Sequence, residues 1–248
     1  MDDMQKIIGM IRERLVLEKN YTGNYALVDQ SKREELKIEI PNEDNNQELQ
    51  MDSPTHLPQQ NSFELLNAAR QQASSCTKCK LAETRTKVVF GTGSANADLV
   101  IVGEAPGYYE DQSGEPFVGK AGQLLTKMLA AIQIRREDVY ICNVIKCRPP
   151  NNRNPSPDEI VACRPWLQKQ LEILRPKVLC SMGKFAAQFL TNSQEAMWKY
   201  RDKTFDYEGI PVICTYHPAY LLRNTEEKKK AWVDLKRLKA LLIELQNS

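Results

Sequence analysis

No apolar run in this 248-residue chain is long enough to cross a bilayer, which excludes a membrane-spanning helix and leaves a soluble protein as the expectation. A Gly-rich Walker loop is also missing, so a P-loop phosphotransferase is excluded. The opening residues, Met1-Asp2-Asp3-Met4, are acidic where a secretory or mitochondrial leader is basic. A reducing cytoplasmic compartment is therefore expected, in which cysteines bind metal more often than they pair as disulfides. Histidine is scarce: His56 lies in a polar stretch, so His217 is the one imidazole available to a folded site. The chain shows no internal repeat.

What is present is unevenly distributed. Residues 1–62 carry 7 Lys/Arg against 12 Asp/Glu, whereas the remainder carries 27 against 20, so a formal net charge of +2 hides a basic body that favours a polyanionic partner. Residues 5–18 place apolar side chains at helical spacing, and residues 1–28 are read as an amphipathic N-terminal extension that docks on the body or on a partner. Residues 29–61, rich in Asn, Gln and Glu with prolines at 42, 54 and 58, have linker composition and are expected to be disordered.

The folded domain is assigned to residues 62–248. Its first helix is expected to start near Asn61, with Glu64 completing a capping box, and to run to Ser74. Strands at 98–102, 139–144, 177–181 and 210–215 then alternate with helices at 119–133, 157–174, 183–190 and 226–246. That order predicts an α/β protein with a parallel sheet covered on both faces.

The segment from Asp98 to Gly122 is the most informative. Leu99-Val100-Ile101-Val102 reads as a buried parallel strand that opens into Gly103-Glu104-Ala105-Pro106-Gly107, then Tyr108-Tyr109-Glu110-Asp111. The glycines let a backbone approach a flat ligand, and the carboxylates gather at the strand's carboxyl end, where open α/β sheets bind ligands. His217 follows a second strand in the same way, ahead of Leu221-Leu222-Arg223, two apolar wedges beside a cation of the kind that enters a DNA groove; core packing of those leucines is an equal alternative. Cys76 and Cys79 form a chelating pair, and Cys147 and Cys163 have polar surroundings, so these four are the candidate metal ligands; Cys142, Cys180 and Cys214 sit inside apolar strands as inert thiols. Spacing alone leaves open a [4Fe-4S] cluster or tetrahedral zinc.

Gly103-Glu104-Ala105-Pro106-Gly107, Pro116-Phe117-Val118-Gly119, Asn143-Val144-Ile145-Lys146-Cys147-Arg148-Pro149-Pro150, Asn151-Asn152-Arg153-Asn154-Pro155 and His217-Pro218-Ala219-Tyr220-Leu221-Leu222-Arg223, with the cysteine quartet, resemble the family 4 uracil-DNA glycosylases over residues 63–245. The resemblance implies a monomeric three-layer α/β/α sandwich with a four-stranded parallel sheet. It further implies a structural [4Fe-4S] cluster on Cys76, Cys79, Cys147 and Cys163. The implied activity is excision of uracil from single- and double-stranded DNA by base flipping in base excision repair. The implied setting is prokaryotic cytoplasm beside the nucleoid, and the N-terminal helix could serve a replication or repair protein.

The site residues follow from the same resemblance. Phe117 stacks on the flipped base, Asn143 reads uracil O4 and N3–H, and the backbone of Gly103, Ala105 and Gly107 binds the remaining edge. His217 donates to uracil O2, and Leu221, Leu222 and Arg223 contact DNA. Ala105 and Gly107 stand where better-studied glycosylases carry a water-activating Asp and a thymine-excluding Tyr. Water positioning accordingly passes to Glu104 and the wall near uracil C5 to Glu110, with Tyr108 and Tyr109 as alternatives. A related branch traps uracil covalently through a His in an Arg-rich insertion, but no His lies between Cys147 and Pro155. That leaves a non-catalytic uracil-DNA-binding iron-sulfur protein as the main alternative.

Overall fold

Runs of β-branched and leucine side chains with no polar alternation form strands only if both faces are covered, and the central strands here meet that condition. A computed structural model of the chain describes residues 59–247. The expected N-terminal helix and most of the linker lie outside these residues. Strands β1 (Thr92–Gly93), β2 (Leu99–Gly103), β3 (Tyr140–Asn143), β4 (Val178–Met182), β5 (Thr204–Tyr207) and β6 (Ile210–Thr215) form one sheet in the order β1-β3-β2-β4-β6-β5. The four central strands are parallel and the two edge strands antiparallel, so the expected four-stranded parallel sheet is corrected to a six-stranded mixed one.

Side chains of one strand alternate between two cores, as the two-residue period requires. Val100, Val102, Cys142 and Leu179 pack with helices α1 (Gln59–Ser74), α4 (Pro157–Leu174) and α5 (Lys184–Thr191). Leu99, Ile101, Ile141, Cys180 and Ile213 face the other way, toward α3 (Lys120–Ala131), α7 (Pro218–Arg223) and α8 (Lys228–Gln246). The result is a three-layer α/β/α sandwich. Each fully buried Leu, Ile or Val stabilises it by roughly 1.5–3 kcal/mol.

Local signals account for most boundaries. Helix α4 starts where expected because Ser156 and Glu159 form a reciprocal capping box with Pro157 in the first turn, and it ends at Arg175 in the left-handed conformation. Helix α1 is already under way at Gln59, so Asn61 lies within it rather than capping it. Two short helices not expected from the sequence, α2 (Tyr108–Ser113) and α6 (Met197–Tyr200), lie close to the carboxyl ends of the parallel strands.

Candidate active site and a cysteine-lined pocket

Parallel strands deliver their terminal residues to one rim of the sheet, and here that rim opens into a cavity of about 690 Å³. Gly103 ends β2, Asn143 ends β3 in direct register with it, and His217 lies two residues beyond β6. Glu104, Ala105, Gly107, Glu110, Phe117, Asn143, His217 and Arg223 all line the cavity.

The Asn143 side chain is 1% exposed, and its Oδ1 has no hydrogen-bond partner. An orphaned buried acceptor costs free energy unless a ligand N–H satisfies it. Gly103 makes this placement possible: a Cβ there would stand 2.3 Å from Asn143 Oδ1 and 2.6 Å from the Phe117 ring. Phe117 itself holds a left-handed backbone with φ of 56°, uncommon for an aromatic residue. Gly122 accommodates that loop, since a Cβ at this position would meet the Phe117 carbonyl oxygen at 1.7 Å. The Phe117 ring stacks beside the His217 imidazole, with centroids 5.4 Å apart and planes at 30°.

The protonation of His217 follows from its place in the chain. It is the N-cap of α7, and its Nδ1 accepts a hydrogen bond from the Ala219 backbone N–H at 3.1 Å. Nδ1 as acceptor leaves the proton on Nε2. Burial, aided by the Arg223 guanidinium, pushes the imidazole pKa down to about 4, so the ring is neutral at physiological pH and offers one N–H donor. Glu104 is shifted in the opposite sense: burial raises its pKa to about 6.

Glu110 lines the cavity and also ties two loops together. One oxygen accepts the Gly107 N–H at 3.1 Å, and the other accepts those of Val118 at 2.9 Å and Gly119 at 3.0 Å. It therefore clamps the 103–107 loop to the 117–119 loop and caps α2. Tyr108 and Tyr109 are exposed at the start of that helix. The DNA-contact trio also divides, because adjacent helical residues point about 100° apart. Leu221 is 1% exposed and belongs to the core under the sheet, which corrects its assignment to DNA, whereas Leu222 is 42% exposed and Arg223 is exposed on the rim.

On the other side of β3, Cys76, Cys79, Cys147 and Cys163 line one narrow pocket. Three of the four sulfurs accept hydrogen bonds: Cys147 from Arg85 Nη1 at 3.4 Å, Cys163 from the Lys146 N–H at 3.2 Å, and Cys76 from Trp166 Nε1 at 3.4 Å. Such donors stabilise thiolates, while burial outweighs them at Cys163 and raises its pKa to about 11. Among the described residues, no three His, Cys, Asp or Glu side chains are grouped to hold a single metal ion. Cys142, Cys180 and Cys214 are buried in their strands, as expected.

Sequence reasoning did not single out Lys146, Arg153 or Trp198. Lys146 is buried and lines the cysteine pocket, and Arg153 and Trp198 line the cavity. Arg153 is held there by a two-pronged pair with the Glu159 carboxylate, at 2.9 and 2.5 Å.

The uracil DNA glycosylase superfamily model matches residues 90–236. A type-4 uracil-DNA glycosylase of Archaeoglobus fulgidus is 45% identical over 71% of this chain and 92% of its own length. One from Thermotoga maritima is 44% identical over 72% of this chain and 95% of its own, and one from Sulfurisphaera tokodaii 40% identical over 72% and 85%.

Proposed function

The chain belongs to the uracil-DNA glycosylase superfamily, and we propose that it excises uracil from DNA by hydrolysing the N-glycosidic bond and leaving an abasic site. The observation that carries this reading is one cavity lined together by Asn143, whose Oδ1 is an orphaned buried acceptor, by His217, a neutral imidazole donor, and by the half-buried carboxyl group of Glu104. Uracil presents N3–H and O4 side by side and so matches the Asn143 acceptor and amide donor. Cytosine presents the reversed pair and leaves both groups unsatisfied.

The base must leave the duplex to reach this cavity, at a cost of a few kcal/mol. Phe117 then stacks on the ring, and backbone groups of Gly103, Ala105 and Gly107 meet its remaining edge. As the bond breaks, negative charge grows on the base and positive charge on the sugar. The His217 Nε2–H donates to the developing O2 anion without proton transfer, a preorganised stabilisation. Ionised Glu104 opposes the sugar cation and orients the attacking water. Leu222 and Arg223 engage the strand at the rim.

The four pocket cysteines are the proposed ligands of a [4Fe-4S] cluster. The choice of a cluster over a zinc ion rests on the resemblance of the sequence to the family 4 enzymes; the four sulfurs line one pocket, and three of them accept hydrogen bonds from N–H donors of the kind that stabilise ligating thiolates. When bound, the cluster ties the 76–79 loop to residues 147–163 as a structural brace.

Holoprotein incubated with single-stranded dU oligonucleotides should yield alkali-labile abasic sites, and iron quantified on the same sample should approach four atoms per chain. DNA binding without strand scission after alkali would favour the non-catalytic alternative, and a protein-DNA adduct the covalent one.

A further inference from the structure

Trp198 lines the cavity and is 68% exposed, yet uracil release as derived above gives it no task. Its position is held from behind. Buried Tyr200 donates its hydroxyl to the Ser193 carbonyl at 2.8 Å and accepts the Glu195 N–H at 2.8 Å. Arg201 pairs with Asp234 through two contacts of 2.9 Å and lies over the Tyr216 ring. The ammonium of Lys199, itself paired with Glu195, sits 5.8 Å from the indole centroid. The indole is thus displayed from an anchored segment.

The cavity is larger than one base requires. Uracil has the bulk of roughly four waters, on the order of 120 Å³, against about 690 Å³ here. The groups assigned to uracil lie on or just beyond the ends of β2, β3 and β6, while Phe185, Met197 and Trp198 form a further wall beyond β4, with Lys184 and Arg223 also on the lining. An anchored aromatic face beside cations is the arrangement that holds unpaired nucleic acid, because every base has a stacking face and every linkage a negative charge.

We infer that Trp198 is the stacking platform for the base adjacent to the flipped uracil, so that the preferred substrate is a strand unpaired at that neighbour. This rests on the uracil reading of the same cavity. The test uses the full-length holoprotein and short single-stranded dU oligonucleotides in which the 5′ or the 3′ neighbour is an abasic spacer. One of the two spacers should raise KM by about tenfold for the unaltered protein, while W198A should show less than about a twofold difference between intact and spacer substrates, and W198F should keep most of it. A full spacer penalty in W198A, or none in the unaltered protein, overturns the inference. If the unaltered protein released no uracil, the parent reading would fail instead. Stacking would then be judged by quenching of tryptophan emission with a uracil-free oligonucleotide, and the same quench in W198A as in the unaltered protein would refute it.

Discussion

The Lys146 ammonium donates to the main-chain carbonyl of Asn143 at 2.7 Å in a region closed to solvent, since both residues are 1% exposed. The backbone N–H of the same lysine donates to Cys163. One residue thus joins the strand that ends in Asn143 to the pocket that holds the cysteines. Its ammonium also donates to Gln170 Oε1, and Gln170 in turn donates to the Phe90 carbonyl and the Tyr140 hydroxyl. Lys146→Met should strand both acceptors and cost about 3 kcal/mol of stability, measured by urea unfolding of the holoprotein, with a higher KM for uracil DNA. Unchanged stability and KM would show that the bridge does not hold Asn143 in place.

Glu104→Gln should lower kcat by about 10²–10⁴-fold while DNA affinity persists. The proposed role needs the carboxylate ionised, so the native rate should fall as pH drops through about 6, and this limb should vanish in the variant. The stability effect has the opposite sign. A carboxyl group whose folded pKa lies above its unfolded value favours the fold when protonated, and that contribution fades as pH rises through about 6. The variant should therefore melt higher than the native protein at pH 7.5, an advantage that disappears below the ordinary Glu range; equal melting at pH 7.5 would place the carboxyl group in water.

His217→Ala should cost about 10²–10³-fold in kcat and about 1 kcal/mol for the lost N-cap. With its pKa down at about 4, His217 adds no limb of its own to the rate profile between pH 5 and 8. Its folded pKa lies below the unfolded 6.5, so its stabilising contribution is complete above that value and is lost as pH falls toward 4. Nitrogen NMR should show the proton on Nε2 at pH 7, and a proton on Nδ1 would contradict the Ala219 contact.

Gly103→Ala should reduce uracil excision more than it reduces stability. The added methyl collides with Asn143 Oδ1 and the Phe117 ring, the two groups proposed to define the base's position. A misplacement of about 1 Å costs on the order of 100-fold in rate. Steady-state kinetics beside a melting curve would separate the two effects, and full activity would mean that neither side chain needs its present place.

The parallel strands were legible because each is an apolar run buried on both faces, and α4 because Ser156, Pro157 and Glu159 announce its start. The edge strands were not: β1 is two residues long, and β5 alternates exposed and half-buried side chains on the sheet margin. The order of Leu221 and Leu222 could not be read without knowing how α7 lies on the sheet. The cysteine quartet and the carboxyl-end loops were visible as local chemistry. Lys146 and Trp198 escaped notice because their meaning comes from neighbours distant in sequence, Gln170 for one and the cavity mouth for the other.

The six residues of α7 begin on the His217 cap and carry Leu222 and Arg223 at their far end, while Leu221 roots them in the core. The proposed strand contacts and the proposed imidazole donor are thus carried on one short, core-pinned piece of chain, so a substitution that loosens Leu221 should disturb both together.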